Sequence, residues 1–316
     1  MMLVYRLSYQ EPMPPFDALQ PRKVMAIGDF DGVHLGHREV IRRAVADAES
    51  LRAPAAVMTF DPHPREVLGI AKYAYSLTPL ERKLELLEQL GVDIAYVVSF
   101  DEQLMRVTPE QFIERVLLPL GLDTAIVGFD FTFGHRGLGT PDSLAQLSKG
   151  AFAVEVIRPF EIEGSKVSST AIREALERGD VAEAHKLLGR PYAVRGTVVH
   201  GDARGRTIGF PTANIEPEGL YVLPANGVYA IRAELDGERY DGVMNVGVKP
   251  TFASGGVPVP TLEAHLFEFN RDIYGAVLEV QLISRLRSER KFGSVQELVE
   301  QIRRDAEEAK AHLLSF

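Results

Sequence analysis

Residues 24–37 read Val-Met-Ala-Ile-Gly-Asp-Phe-Asp-Gly-Val-His-Leu-Gly-His, and they set the architecture of the first half of the chain. Residues 24–27 are an apolar run typical of a buried strand, and a glycine-containing turn follows them at once. After His37, apolar residues recur at helical spacing as far as residue 51 on one side of the segment, which predicts an amphipathic helix. A buried strand that leads through such a turn into a helix is typical of an α/β domain.

The alternation of strands and helices continues to about residue 157. Short apolar runs rich in β-branched residues predict further buried strands at 55–60, 94–98, 124–127 and 152–157. Residues 78–81 (Thr-Pro-Leu-Glu) have the spacing of a capping box with Pro at the first helical position, and residues 108–111 (Thr-Pro-Glu-Gln) repeat it. We therefore predict a Rossmann-like α/β domain with an open, mostly parallel sheet and helices on both faces.

The second half of the chain has a different pattern. Two short helices are predicted at 170–178 and 181–188, and Gly189 ends the second, so we place the boundary between domains 1–188 and 189–316 there. Strand composition without intervening helices follows at 194–199, 228–235, 240–246, 263–269 and 277–282, with a hairpin turn at Asp236-Gly237. This domain is predicted to be a small antiparallel β-barrel. One amphipathic helix, which starts after Ser294, is predicted as the last element of the chain.

The composition indicates a soluble protein that acts on small molecules. The 316 residues suffice for about two domains, and 46% hydrophobic with 25% charged residues is a globular balance. No apolar run approaches the ~18 residues of a membrane span, and the start is too short for a signal peptide, so we expect a cytoplasmic protein without a membrane partner. The absence of cysteine excludes disulfides, iron–sulfur clusters, thiolate zinc sites and a cysteine nucleophile. The net charge of -9 argues against a nucleic-acid partner. The oligomeric state stays open between a monomer and a weak homo-oligomer.

The turn at residues 28–37 is a candidate phosphate site. It lies at the carboxyl end of a predicted parallel strand, where ligands bind, and backbone N–H groups at a helix start attract anions. His34 and His37 add two imidazoles, so the site can stabilise the charge that develops when a phosphorus atom of ATP is attacked. The predicted ATP and phosphate contacts here are Gly28, Phe30, Asp31, Gly32 and Gly36. A zinc-binding His pair and incidental turn histidines remain as alternatives, although no Glu adjoins the pair as in a zincin.

Three further segments are candidates for the same site. Ser168, Ser169 and Thr170 stand at a helix start with Arg173 one turn on, which fits either simple capping or a phosphate clamp. Residues 59–64 and 128–134 follow the second and fourth strands at the same edge of the predicted sheet, and they either bind a flat heterocycle or merely pack as loops. The heterocycle candidates are Phe60, Pro62, His63, Asp130 and Phe131.

Residues 200–214, His-Gly-Asp-Ala-Arg-Gly-Arg-Thr-Ile-Gly-Phe-Pro-Thr-Ala-Asn, form a glycine-rich, basic segment. Its glycines allow the backbone to wrap phosphates, unless the segment is only a flexible surface loop. The predicted phosphate contacts are Gly201, Arg204, Gly205, Arg206 and Gly209. The hydroxyl of Thr212 and the amide oxygen of Asn214 suit Mg²⁺, which prefers oxygen ligands. The chain contains neither a P-loop nor a protein-kinase signature.

Glu263, His265 and Phe267 alternate along a predicted strand and so share one face. A carboxylate that faces the mouth of the barrel is able to accept the proton of an attacking hydroxyl. Solvent exposure on the outer face is the alternative, and the residues alone do not separate the two.

These segments resemble two known families. Residues 28–37 and 167–173 (Val-Ser-Ser-Thr-Ala-Ile-Arg) resemble the first and second motifs of the His-x-Gly-His nucleotidyltransferases. With residues 59–64 and 130–134, they resemble the adenylyltransferase half of the bacterial bifunctional riboflavin kinase/FMN adenylyltransferases (FAD synthetases). Residues 205–214, 245–251, 263–266 and 286–292 resemble the riboflavin kinase domain, whose family fold is a six-stranded barrel.

The resemblance implies an enzyme of flavin cofactor synthesis with two activities. In the barrel, riboflavin and ATP would give FMN and ADP, with Glu263 as the base and Thr212 and Asn214 holding Mg²⁺. In the first domain, FMN would attack a second ATP to give FAD and pyrophosphate, while His34 and His37 stabilise the transition state. The second motif would then hold phosphates, and Arg287 would join the flavin contacts. Two alternatives stay open: a kinase whose first domain acts on another phosphate acceptor, and a flavin-binding regulator without catalysis.

Overall fold

The structure is a computed structural model that describes residues 1–11, 22–201, 205, 208–249 and 259–316. The chain forms two compact units, Met1–Ser169 and Thr170–Phe316. Each unit is described by itself below.

The first unit contains one sheet of six parallel strands. The strands are β1 (Leu3–Leu7), β2 (Lys23–Ile27), β3 (Ala55–Asp61), β4 (Ile94–Ser99), β5 (Leu122–Gly128) and β6 (Ala153–Ile157). Their order across the sheet is β1-β4-β3-β2-β5-β6, and every pairing is parallel. The predicted open parallel sheet is therefore confirmed, with β2 near its middle.

Helices cover both faces of this sheet, as predicted. The longer ones are α1 (Leu35–Leu51), α3 (Leu80–Gln89) and α6 (Pro141–Leu147), and the shorter ones are α2 (Pro64–Val67), α4 (Glu102–Met105) and α5 (Pro109–Phe112). On one face, Ile41 and Leu87 pack on Val57; on the other, Phe112 and Leu144 belong to the core around Met58. A small antiparallel hairpin, β7 (Glu161–Ile162) with β8 (Ser165–Lys166), completes the unit.

Two local predictions in this unit were wrong. The capping box at residues 78–81 does not form, because Pro79 is the N-cap of α3 and makes no side-chain cap bond. A proline in that position supplies neither a side-chain acceptor nor an N–H donor. Strand β1 was not predicted. It lies at the edge of the sheet, and its residues Leu3, Val4 and Tyr5 are 42–50% exposed. It therefore lacks the composition of a buried strand. The capping box at Thr108 and Gln111 is confirmed.

The second unit contains a closed antiparallel barrel of six strands, again as predicted. The strands are β9 (Tyr192–Val199), β10 (Ala213–Pro217), β11 (Gly227–Leu235), β12 (Glu238–Lys249), β13 (Val259–Leu266) and β14 (Val277–Arg287). They close in the order β10-β13-β12-β11-β14-β9. Asp236 and Gly237 both have positive φ (53° and 81°), which is the type I′ geometry expected of the predicted hairpin. The sequence did not predict β10, because its five residues follow directly on the glycine-rich segment.

Helices flank the barrel strands along the chain. Helix α7 (Ser169–Arg178) and helix α8 (Val181–Leu188) precede the barrel, and α8 ends at Gly189 in the left-handed conformation. Helix α9 (Val295–Leu314) follows the barrel and packs on its outer face, where Ala309 and Leu313 contact a cluster that includes Val228 and Val243. The compact units divide at residue 169, whereas the functional boundary between residues 188 and 189 stays a prediction. No helix in the described ranges has the length and apolarity that a bilayer crossing requires.

Candidate active sites

Three candidate loops of the first unit follow three neighbouring strands. Residues 59–64 follow β3, residues 28–37 follow β2 and residues 128–134 follow β5, and the sheet order places these strands side by side. Since all three are parallel, their carboxyl ends meet at one edge. The chain runs from β2 to β3 on one side and returns to β5 on the other, which makes this edge a topological switch point, where open α/β sheets bind ligands.

The turn between β2 and α1 has an unusual backbone. Phe30 and Val33 have φ values of 55° and 41°, and Gly32 between them has φ 90°. Left-handed conformations are rare for β-branched residues such as Val33, and strain of this kind is concentrated at functional sites. The turn is fixed by the Val33 N–H, which donates to the Phe30 carbonyl at 3.0 Å, and by the burial of both side chains.

The two histidines of this turn form a stacked pair at the start of α1. His34 is the N-cap, and its Nδ1 accepts from the His37 backbone N–H at 3.2 Å. A neutral His34 therefore carries its proton on Nε2. The two rings lie 3.5 Å apart at 19°. A Cβ on Gly36 would lie 3.3 Å from the His34 ring, so the pair is packed against the helix backbone. Imidazole donors beside the positive end of a helix favour a bound phosphate.

Asp31 and Ser169 hold the turn from within. The buried Asp31 carboxylate accepts from the backbone N–H groups of Leu77 and Thr78 at 2.9 and 3.1 Å. The Asp31 carbonyl accepts from the Ser169 hydroxyl at 2.9 Å, which brings the second motif to the first. Asp31 thus acts on the shape of the turn. Thr170 and Arg173 lie in the second unit, and their phosphate contacts stay predictions, as does that of the half-buried Ser168.

The candidate heterocycle residues occupy the two flanking loops. Phe60 and Phe131 are half-buried against the core, and Phe131 stacks on Phe133 at 5.6 Å. Pro62 and Asp130 are exposed. Asp130 accepts from the Lys166 ammonium at 2.7 Å, and this ammonium also lies 4.4 Å from the centre of the Phe129 ring. The sequence did not single out Lys166, although it directly precedes the second motif.

In the barrel, Glu263 lies between two asparagines. It pairs with Asn214 on β10 and with Asn245 on β12, in the antiparallel register. Directly opposed residues of an antiparallel pair project on the same face and lie about 5 Å apart. The row Asn214–Glu263–Asn245 therefore places a carboxylate between two amide side chains. Asn245 also donates to Glu289 at 3.3 Å, and neither of these two was predicted as a site residue.

This row lies on the outer face of the barrel. Leu262 and Ala264 are buried in the barrel interior at 3% and 1% exposure, whereas Glu263 between them is half-buried. Asn245 also pairs with Val228, whose side chain packs under α9 on the outer face. The Glu263 side chain therefore projects on the outer face, and its role as a base stays a prediction. The register of β13 with β10 and β12 shows on which face of the barrel Glu263 lies. The alternation of side chains along β13 alone does not show this.

Two glycines leave room for the side chains of the predicted metal site. A Cβ on Gly201 would lie 2.2–2.6 Å from the amide of Asn214. A Cβ on Gly205 would lie 2.2 Å from the Phe210 carbonyl and 3.5 Å from the Thr212 hydroxyl. His265 Nδ1 lies 2.7 Å from the Pro211 carbonyl and so ties this segment to β13. Gly209 has φ 84°, whereas Arg204 and Arg206 lie outside the described residues.

The oxygen donors beside Gly201 and Gly205 fit a magnesium ion. Thr212 and Asn214 offer hydroxyl and amide oxygens, which are donors that Mg²⁺ accepts, and the Glu263 carboxylate is paired with Asn214 across the strands. Among the described residues, no group of three or more His, Asp or Glu side chains is placed to hold a metal ion. A set of so few protein oxygens suits an ion that keeps waters and shares its ligands with substrate phosphates.

Arg287 is bonded to a buried carboxylate of the C-terminal helix. Its guanidinium makes a bidentate bond to Asp305 of α9, from Nε at 2.9 and 3.0 Å and from Nη2 at 2.7 Å. Asp305 is 2% exposed and also accepts from Gln301 at 2.7 Å. The predicted flavin contact of Arg287 stays a prediction, but the structure gives the side chain a partner within the protein.

Comparisons with known proteins identify the family of this chain. The family model described as FAD synthetase matches residues 17–171, and the one described as riboflavin kinase matches residues 188–313. The chain is 47% identical over 291 residues to the bifunctional riboflavin kinase/FMN adenylyltransferase of Bacillus subtilis (strain 168), covering 92% of each protein. It is 40% identical over 287 residues to the Escherichia coli (strain K12) protein of the same name, covering 89% of this chain and 90% of that one. The chain belongs to the bifunctional riboflavin kinase/FMN adenylyltransferase family.

A solved structure matches almost the full length of the chain. A Streptococcus pneumoniae protein, whose structure is titled a macrolide-efflux protein, matches with a TM-score of 0.87 and 34% identity. The match covers 96% of this chain and 97% of that one. The fold that the family members share thus includes both units.

Proposed function

We propose that this chain makes FAD from riboflavin in two steps, one in each half. The barrel half is a riboflavin kinase, and the N-terminal half is an FMN adenylyltransferase. The observation that carries the proposal is the separation of the two motif sets: the histidine pair and the Asn214–Glu263–Asn245 row lie in different compact units.

In the kinase half, Glu263 accepts the proton of the terminal ribityl hydroxyl of riboflavin. That oxygen attacks the γ-phosphorus of ATP, and ADP leaves. Thr212 and Asn214 would hold Mg²⁺, which neutralises phosphate charge when it is bound. The glycine-rich segment at Gly201, Gly205 and Gly209 would cover the nucleotide. Phosphoryl transfer of this kind depends mainly on positioning and on charge neutralisation.

In the adenylyltransferase half, a phosphate oxygen of FMN attacks the α-phosphorus of a second ATP. The new P–O bond gives FAD, and pyrophosphate leaves without a covalent enzyme intermediate. The Nε2–H group of His34 and the His37 ring donate to phosphate oxygens as charge accumulates. The start of α1 adds the positive end of its dipole. Ser168, Ser169, Thr170 and Arg173 hold the leaving phosphates, and Phe60, Pro62, His63, Asp130 and Phe131 line the flavin side.

The proposal also includes the metal ion, the cellular location and the class of partner. Magnesium is the expected metal because the candidate ligands are all oxygens. The cytoplasm is the expected location because ATP is a substrate of both steps. The net charge of -9 disfavours a nucleic-acid partner.

The test is a time course with riboflavin, ATP and Mg²⁺, in which riboflavin, FMN and FAD are separated by HPLC. FMN that rises and then gives way to FAD supports both activities. FMN that accumulates without FAD would instead leave the first half with another phosphate acceptor. No conversion alongside tight FMN binding would favour a regulator.

The Glu263→Gln variant tests whether the two activities reside in different halves of the chain. We expect this variant to lose FMN formation and to retain FAD formation from supplied FMN, because the base is removed from the barrel alone. Glu234→Gln, at an exposed position on β11, is the matched control and should leave both activities unchanged. Loss of both activities in a folded Glu263→Gln protein would contradict the assignment.

A further inference from the structure

A contact between His63 and Asp29 links the first two loops of the adenylyltransferase edge. His63 Nε2 lies 3.1 Å from Asp29 Oδ2, and the two side chains are only 13% and 22% exposed. Asp29 directly follows Gly28 in the phosphate turn after β2, and His63 belongs to the loop after β3. The pair therefore joins the nucleotide side of the proposed site to its flavin side.

The other nitrogen of His63 is bonded as well. As the N-cap of α2, His63 accepts from the Arg65 backbone N–H through Nδ1 at 3.0 Å. A ring whose Nδ1 accepts must carry its neutral-state proton on Nε2, where it donates to Asp29. The ring also packs on buried Tyr73 with centroids 4.7 Å apart. Both nitrogens thus have partners within the protein, so His63 fixes the loop after β3.

The backbone of Asp29 is held equally firmly. Its carbonyl accepts from the Thr59 hydroxyl at 2.7 Å and from the Lys83 ammonium at 2.8 Å. Both donors are buried, at 0% and 5% exposure. With its carbonyl anchored from β3 and α3, Asp29 presents its carboxylate to His63 from a fixed position.

We propose that Asp29 is a positioning residue for FMN in the adenylyltransferase reaction. Its carboxylate accepts from His63 Nε2 and so holds the ring in place, and His63 in turn holds the loop that receives the flavin. Asp29 acts through His63 and not on the reacting atoms. This inference rests on the proposed function of the N-terminal half and adds a residue to it that neither motif reasoning nor the site prediction assigned.

The first test uses steady-state kinetics of FAD formation from FMN and ATP. Asp29→Ala should raise the KM for FMN about tenfold and leave kcat within about twofold, because a charge-assisted hydrogen bond that only positions the loop is lost before the chemical step. Asp29→Asn keeps an oxygen that accepts from Nε2 and should restore most of the KM. The riboflavin kinase rate of each sample reports that the protein is intact, and Asp47→Ala, which removes a surface ion pair with Arg43, is the matched control.

The second test asks whether the two residues act in series. His63→Asn keeps a cap acceptor for Arg65 but lacks the reach to donate to Asp29. In that background Asp29→Ala should have no further effect on the KM for FMN, since coupled residues are not additive. An imidazole ¹⁵N spectrum should show a shifted His63 Nε2 resonance in Asp29→Ala, because the bond to the carboxylate is lost, while Nδ1 stays an acceptor for the Arg65 N–H group.

The outcomes separate this inference from the proposed function. A wild-type protein that makes no FAD overturns the function itself. A wild-type protein that makes FAD, with an unchanged KM in Asp29→Ala or with fully additive effects in the double variant, overturns the positioning role alone.

Discussion

The bond between Arg287 and Asp305 allows a structural role to be separated from a flavin-binding role. Three N–O distances of 2.7–3.0 Å join the two side chains, which are 20% and 3% exposed. Arg287→Met removes the guanidinium and leaves the Asp305 carboxylate buried, with Gln301 as a donor at 2.7 Å. Breaking one side of a buried pair costs about 3–5 kcal/mol, because the remaining charge is uncompensated.

The expected consequence is large for the barrel unit. For a domain of about 150 residues, each kcal/mol shifts the melting temperature by roughly 2–4 °C, so Arg287→Met should melt roughly 6–20 °C lower. Arg304→Ala, which removes an exposed ion pair to Glu300 at 3.8 Å, is the matched control. It should change stability by less than about 1 kcal/mol. Arg287→Met combined with Asp305→Leu replaces the whole pair by apolar side chains and should recover most of the stability.

The assay heats the full-length protein and then measures both activities in the same sample. Kinase activity should be lost at a lower temperature in Arg287→Met, while FAD formation from FMN keeps its wild-type profile. If the double variant is as unstable as Arg287→Met, the buried-charge argument is refuted. If the double variant is stable but has lost the kinase, Arg287 contacts the flavin as the sequence predicted.

Three further predictions follow from single contacts. Gly201→Ala places a Cβ 2.2–2.6 Å from the Asn214 amide, so FMN formation should fall at least tenfold by HPLC, whereas FAD formation from FMN should persist. Lys83→Met removes the buried ammonium from the Asp29 carbonyl and should destabilise the first unit by about 1–3 kcal/mol in urea; unchanged unfolding would contradict this. Burial lowers the pKa of His185 below its ordinary value of 6.5, so the unfolded chain binds more protons as the pH falls through that value, and stability should rise as the pH increases through about 6.5. His185→Gln should flatten that rise in urea titrations, and an identical slope would refute the assignment.

Sequence patterns predicted the strands that are buried on both faces of the sheet, and they missed strands that are exposed or short. Strands β2, β3 and β4 are mostly apolar runs because helices cover both faces of the middle of the sheet, and periodicity detects such runs well. Strand β1 is exposed along one edge, and β10 is short and follows a glycine-rich segment, so neither has the composition of a buried strand. Pro79 replaced the predicted cap of α3 because spacing alone does not indicate where a helix begins.

The candidate sites were predicted less completely than the fold. Motif reasoning found His34, His37 and Glu263, whose chemistry is visible in their residue types. It did not find Lys166 or Asn245, because each joins the site through a contact with a distant segment. It also left the face of Glu263 undecided, since that face depends on the register of β13 with β10 and β12.

The supports of the phosphate turn show why such contacts are missed. Asp31 is held by the backbone N–H groups of Leu77 and Thr78, more than 40 positions further along the chain. A backbone donor has no side-chain signature, so the residues that supply it can vary while the bond is kept. The Asp31 carboxylate, by contrast, accepts both bonds through one oxygen, Oδ1, and its charge strengthens them in a way that the neutral amide of Asn would not. The motif therefore contains the acceptor, Asp31, but not the donors, which are backbone N–H groups brought close by the fold. A substitution at Asp31 should change the geometry of the phosphate turn, even though its side chain points away from that turn.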